Sequence, residues 1–329
     1  MQKILRSPVI RQAPDLRIGV EIGHSAVKLA AVRRTEAGPS LAAFLVEPIP
    51  RGSVVDGIVR DTAVVVRALE RLRVAAHLPR TEVVTALPDT AVQFKVMRVD
   101  RSLDARQVLN LAQREARALI RDPSIPITVD IAVLGESVVG DQVQDLLLVA
   151  AKAVDVQRHA DLFRKAGWIP SVLEVDSLVI RHGVAHPSTH YESGAPITAL
   201  FDLGAGGIHL SVMRGEHTLF HRAATWAAPV FDLTTGQIVA EPFLDCVRSL
   251  MQAFHRHTGV EHLDRLQVTG GLSLDPTWVA ELADWIGLPA ETWKPSWVVS
   301  IPPSWEPPEQ DRMLSQAFVP VSLALRGFE

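Results

Sequence analysis

Apolar positions in this chain form short runs broken by glycine and proline, and these runs predict strands and tight turns before any helix. "LRIGVEIGHSAVKLAAV" sets two such runs around a turn at Gly23, the pattern of a buried hairpin. After the turn signals "PRG" and "DG", Val65, Val66, Leu69 and Leu72 fall at helical spacing, with Asp61 or Thr62 placed to cap the helix. "EVVTALP" follows as a buried strand ending at Pro88. The stretch from Asp89 to Gly167 then reads as a separate unit. Its strand "VQFKVMRVD" leads to a helix over Asp104–Ile120, two strands ("ITVDIAVLG" and "DLLLVAAKAV"), and a helix capped by Asp155 and stopped by Gly167. "PSVLEVD" returns to the first sheet, and the turn-rich His182–Pro196 reads as a linker.

Beyond the linker the opening pattern recurs. "FDLGAGGIHLSV" lies over "GVEIGHSAVKLA" with Asp202 on Glu21, Gly204 on Gly23, Gly206 on Ser25 and His209 on Lys28. A helix is expected near Pro242–His257, then a strand ending in Gly270-Gly271. A further helix has Asp275 at its N-cap, Pro276 in its first turn and Gly287 at its end. Lys294–Gln310 carries five prolines and reads as loop, and "LSQAFVPVSLALRG" reads as a closing helix. The pattern predicts an α/β protein of two related halves, the first carrying an insertion.

Composition narrows the function. With 329 residues and 47% apolar content the chain is long enough for about two packed domains. Its 33 Lys plus Arg against 37 Asp plus Glu give −4, which argues against nucleic acid as partner. The single cysteine, Cys246, excludes an internal disulfide framework and reads as a small core residue. The basic start lacks the apolar run of a signal peptide. "LLLVAAKAV" is too short for a bilayer, which needs roughly 20 residues. The expectation is a soluble cytoplasmic protein without direct membrane insertion, any membrane association coming through a partner.

The candidate chemistry lies in the paired turns. Small residues let backbone N–H groups approach a phosphate, and an acid just before such a turn suits Mg²⁺. Two facing hairpins would clamp a triphosphate, with Gly270 and Gly271 against an adenosine. His255, His257 and His262 read as a solvated helix end rather than a metal site. Trp278 and Trp285 share a helix face and read as packing. The segment Trp293–Trp305 is a candidate docking surface, with burial the alternative.

The two hairpins with the strand–Gly-Gly–helix resemble the phosphate and adenosine motifs of the actin-like ATPase superfamily. Within it the chain is similar to the type IV pilus assembly protein PilM family, relatives of the division protein FtsA. The similarity includes "VVDGIVRD", "VVTALPDTAVQFKVMRVD", "QREARALIRDPSIPITVDIAVLGE" and "SLALRG". It implies an actin-like fold with a leader (1–16), a first RNase H-like subdomain (17–88 and 168–195), an inserted 1C-type unit (89–167), a second RNase H-like subdomain with reduced 2B region (196–310), and a closing helix on the first subdomain (311–329). It implies Mg-ATP as ligand, with Gly23, His24, Ser25, Lys28, Asp202, Gly204, Gly206, Gly207, Gly270 and Gly271 around it. Glu21 and Asp202 are the candidates for metal or catalysis.

Several positions depart from the family pattern. Glu21 replaces Asp, Gly207 and Ile208 replace hydroxylated residues, His209 replaces an acid, and Leu272 brings a side chain toward the base. These changes predict weak nucleotide binding and poor hydrolysis. The implied function is a scaffold of a pilus or secretion platform that binds the N-terminal tail of a PilN-like membrane protein and meets other platform proteins. Ile125, Ile127 and Val129 are candidate groove contacts that could equally be core. The competing readings are a small-molecule kinase of the same superfamily and an FtsA-like filament former.

Overall fold

The structure, a computed structural model, describes residues 3–6, 15–122, 124–136, 142–184, 195–215, 217–226, 240–302, 305 and 313–328. Most of the expected leader and linker, and part of the proline-rich segment, lie outside these residues.

The first half opens with β1 (Lys3–Arg6), the hairpin β2 (Leu16–Ile22) and β3 (Ala26–Thr35), and β4 (Gly38–Pro48). A small pair, β5 (Val54–Val55) and β6 (Ile58–Val59), leads into α1 (Thr62–Ala75) and the strand β7 (Glu82–Leu87). Asp61 caps α1, accepting from the Val64 amide at 3.0 Å. The insertion follows as β8 (Val92–Asp100), α2 (Ala105–Ile120), β9 (Ile127–Glu136), β10 (Val143–Lys152) and α3 (Ala153–Lys165). Asp104 and Gln107 close a reciprocal capping box at the start of α2. The chain returns through β11 (Ile169–Val175) and α4 (Asp176–Val184).

The second half runs β12 (Ile197–Leu203), β13 (Gly207–Arg214), β14 (His217–Thr225), α5 (Ala240–Thr258), β15 (Arg265–Thr269), α6 (Pro276–Ile286) and β16 (Ala290–Thr292). The helix α7 (Phe318–Arg326) closes the chain.

Strand order exposes the duplication. In the first sheet β4-β3-β2-β7-β11 stand side by side, and in the second β14-β13-β12-β15-β16. Each is a third-second-first-fourth-fifth arrangement, antiparallel up to the first strand and parallel beyond it. The insertion forms its own antiparallel sheet, β8-β10-β9, within the crossover from β7 to β11.

The core follows the same plan. Val65, Leu69 and Leu72 of α1 pack with Phe163 and Trp168 on one face of the first sheet, where Trp168 Nε1 donates to the Leu69 carbonyl at 3.1 Å. On the other face α7 lies against β2 and β3, with α4 packed beside it near β7 and β11. In the second half Phe243, Val247 and Phe254 of α5 pack with Trp278 and Leu282 of α6 on the sheet, and Cys246 is buried among them.

Four expectations change. Asp155 does not cap α3: β10 runs straight into the helix at Lys152, leaving Asp155 in the first turn. Trp285, in the last turn of α6, is exposed, whereas Trp278 is buried edge-on to Phe243. Trp293 and Trp305 are buried in a cluster with Val299, Leu314 and Phe318, so they form no docking surface. Ile127 and Val129 face α2 and pack on the core of the insertion, because strand alternation sends both to that side; Ile125 precedes the strand, half-buried.

His159 on α3 shows what burial does to a titrating group. Its Nε2 lies 3.2 Å from Thr85 Oγ1, its ring rests near Phe163, and desolvation lowers its pKa from 6.5 to about 4. The unfolded chain binds a proton that the folded chain refuses between those values. This contribution is therefore complete above about pH 6.5 and is lost as pH falls toward 4, amounting to roughly 3 kcal/mol. Chemical denaturation at about pH 7.5 and 4.5 should show His159→Gln losing less stability to acid than the parent chain by about that amount. Equal acid losses in both would contradict the assignment. Glu21 and Asp176, raised by burial, titrate with the opposite sign, so the difference between the two proteins is the readout.

Candidate functional site

The two glycine-led turns face one another. In the first, Gly23 N donates to the Ala26 carbonyl at 3.0 Å; in the second, Gly204 N donates to the Gly207 carbonyl at 2.9 Å. Between them lies a cavity of about 100 Å³ lined by Gly23, His24, Ser25, Lys28, Asp202, Gly204, Gly206, Gly207 and Gly271, with Gln316 from the turn before α7. Nine of the ten sequence-predicted positions thus meet in one cleft. Gly270 stands behind it, at φ 94°, where a Cβ would fall 2.3 Å from Asp202 Oδ1. Its amide is directed to the Ser315 carbonyl at 3.4 Å, and Ser273 Oγ pairs with Ser315 Oγ at 2.9 Å. Leu272 does not crowd the cleft; it packs against the core of the second half.

The duplication extends to the polar pairs. Glu21 stands opposite Lys28 across β2 and β3, and Asp202 opposite His209 across β12 and β13. Lys28 Nζ holds both Glu21 oxygens, at 3.0 and 3.2 Å, with both side chains largely buried. Burial works against the Lys28 ammonium, but Glu21 and Asp202 outweigh it and hold its pKa above the usual range. Burial, with Asp202 nearby, raises Glu21 despite Lys28. Burial also lowers His209 and His24, so neither adds a positive charge at neutral pH.

His24 leaves least room. Its ring lies over Gly206, where an added Cβ would come within 2.2–2.5 Å of it, and its Nε2 is buried without a hydrogen-bond partner. Pockets for drug-sized ligands run to about 300–1,000 Å³, so the cleft as it stands is narrower than such a pocket. Its one lysine already neutralises a carboxylate. No phosphoryl-transfer step follows from this geometry.

A second cluster ties the halves together beside the cleft, and the sequence offered no pattern for it. Asp89, in the turn where β7 leaves for the insertion, lies 3.0 Å through Oδ2 from His221 Nε2 on β14. The Ser177 amide donates to its other oxygen at 3.2 Å, and Ser211 Oγ meets His221 Nδ1 at 2.8 Å. Burial would raise Asp89, but His221 and Ser177 outweigh it and hold it below the usual carboxylate range. Asp176 lies deep in the same region; burial, with Asp89, Glu21 and Asp202, raises it well above that range. Ser211, His221 and Asp89 have the composition of a hydrolytic triad, but Ser211 is 1% exposed on an inner strand and has no access to substrate.

On the insertion, α2 covers one face of the three-stranded sheet. The opposite face carries Phe94 and Val96 of β8, 38% and 53% exposed, whose strand parity is opposite to that of the core residues Met97 and Val99. Val149 of β10, paired with Phe94, runs from this face into the apolar junction with Leu87, Val92 and Val175. No helix among the described residues is long and apolar enough to cross a membrane.

Comparison with known proteins places this architecture. A solved structure titled as a PilM–PilN type IV pilus biogenesis complex matches with a TM-score of 0.75 at 23% identity, covering 95% of this chain and 98% of the other. The ethanolamine utilization protein EutJ from Carboxydothermus hydrogenoformans matches with a TM-score of 0.50 at 12% identity, covering 96% and 92%. The shared architecture is the actin-like ATPase fold. The family described as type IV pilus assembly protein PilM matches residues 19–231, more than half of the chain. The duplicated sheets, the insertion in the first half and that long match together establish that the chain belongs to the type IV pilus assembly protein PilM family.

Proposed function

We propose that this chain is an actin-like scaffold of a type IV pilus inner-membrane assembly platform, holding the cytoplasmic N-terminal tail of a PilN-like membrane protein. The observation that carries this reading is the uncovered apolar face of β8 and β10 running into the junction with the first half, in a chain of the PilM family. The edge strands β8 and β9 offer backbone pairing to an extended peptide, and Phe94 and Val96 offer contacts for its aliphatic side chains. This replaces Ile127 and Val129 as the groove contacts.

Anchors of this kind give an affinity that changes little with salt. Titration of the full chain with the N-terminal peptide of a PilN-like protein should show binding that varies less than about threefold between roughly 0.1 and 0.5 M salt. Val96→Asp should weaken it at least about tenfold, since a buried unpaired carboxylate opposes each apolar contact. Binding that survives Val96→Asp unchanged would move the groove elsewhere, and no binding by the parent chain would reject the scaffold reading.

The cleft supports a degenerate nucleotide site rather than an efficient ATPase. Of the residues present, Lys28 and the turn at Ala205 and Gly206 would face phosphates, and Asp202 would face Mg²⁺. The His24 ring and the Lys28–Glu21 pair oppose all of these contacts. Calorimetry with Mg-ATP should show binding no tighter than about 100 μM, and His24→Ser should strengthen it. Low-micromolar binding by the parent chain, abolished by Lys28→Ala, would overturn this. A kinase would need a free carboxylate base; Glu21 is bound to Lys28, which leaves Asp202 alone to serve as both base and metal ligand and disfavours that reading.

A further inference from the structure

We propose that the outer face of α2 is a docking surface for the anionic lipid headgroups of a membrane. Arg106, Arg114, Arg117 and Arg121 are all exposed. At 100° per residue Arg106, Arg114 and Arg117 fall within about 80° of arc over about 16 Å of axis, and Arg121 caps the helix just beyond them at φ 57°. None of the four forms an ion pair with another described residue, and no exposed position of this helix is acidic. Glu115, the helix's one carboxylate, is turned to the sheet and bound by Lys95.

The remainder of the chain gives this row its meaning. A protein with net charge −4 has no general attraction to anionic surfaces, so these guanidinium groups, without an ion pair to any described residue, are a local reversal. Guanidinium binds phosphate oxygens through two parallel N–H groups. A straight row on an outermost helix matches a plane of phosphates, whereas a protein partner offers a contoured surface. Leu109, beside the row and 44% exposed, is placed to sit at the headgroup boundary. The row and the open apolar sheet face lie on opposite sides of the insertion, so tail and membrane can be engaged together. The choice of lipid over another polyanion rests on the proposed membrane-anchored partner; the charge pattern does not.

The test uses the full chain without any partner peptide, sedimented with vesicles of phosphatidylcholine alone or containing about 30% phosphatidylglycerol, at low salt. At least tenfold stronger partitioning onto the anionic vesicles is expected. Arg114→Gln with Arg117→Gln should reduce it by roughly 10- to 30-fold, with an unchanged melting temperature. Equal partitioning onto both vesicles, or a double variant that binds like the parent, would overturn the proposal. Tighter binding to duplex DNA or a polyglutamate peptide than to the anionic vesicles would also overturn it, assigning the row to another polyanion. Titration with the PilN-like peptide is independent of this measurement, so failure of the scaffold reading is distinguishable from failure of the lipid contact.

Discussion

Gly19→Ala should lower stability by roughly 3 kcal/mol, at the upper end of overpacking costs. Gly19 lies in β2 directly under α7, and a Cβ built there would stand 2.1 Å from the Pro320 carbonyl oxygen, 2.6 Å from the Ala324 amide nitrogen and 2.7 Å from Leu323 Cβ. Two of these are backbone atoms of a packed helix, so no rotamer change relieves the overlap; the helix must move. Pro320 lies in the first turn of α7, where its missing N–H costs the helix no hydrogen bond, so the helix stays regular above the strand. For a chain of this size the melting temperature should fall by about 6–10 °C. An unchanged melting temperature would mean that α7 does not dock on β2 in solution.

Trp293→Ala should cost about 3–5 kcal/mol and also loosen the joint between the halves. Trp293 follows β16 of the second half, is 1% exposed, donates from Nε1 to the Gly183 carbonyl of α4 at 3.2 Å, and meets Phe318 of α7 edge-on at 5.1 Å. Its loss leaves a cavity and an orphaned carbonyl at a place where both halves share one apolar cluster. Calorimetry should then resolve two unfolding transitions in place of one, or a clearly broadened one. A single transition shifted by less than about 1 kcal/mol would show that the joint lies elsewhere.

The contrast between Trp293 and the hairpins shows what the sequence makes readable. Gly23, Gly204, Gly206 and Gly207 mark their turns because a turn is a local event, fixed by residues a few positions apart. The capped starts of α1 and α6 are local in the same way. Face is another matter: alternation says that Ile127 and Val129 share a side of β9, but not that α2 covers that side. The prolines between Lys294 and Gln310 suggest loop, yet the tryptophans among them seal the joint between halves. His221 and Asp89 are 132 residues apart, and no periodicity links them. His24 could be aligned with the family pattern, but its ring reaching Gly206 depends on how closely the halves approach.

The insertion is rooted in the first half. Its two roots, β7 and β11, are hydrogen-bonded neighbours, and the first of them ends at Leu87, just before Pro88 and Asp89. Asp89 is held in turn by His221 of the other half. Beside that stem, Phe163 of α3 is packed into the core of the first half, so the three-stranded sheet meets the body at a polar and an apolar anchor. A displacement of that sheet would therefore strain the Asp89–His221 contact, which joins the two halves.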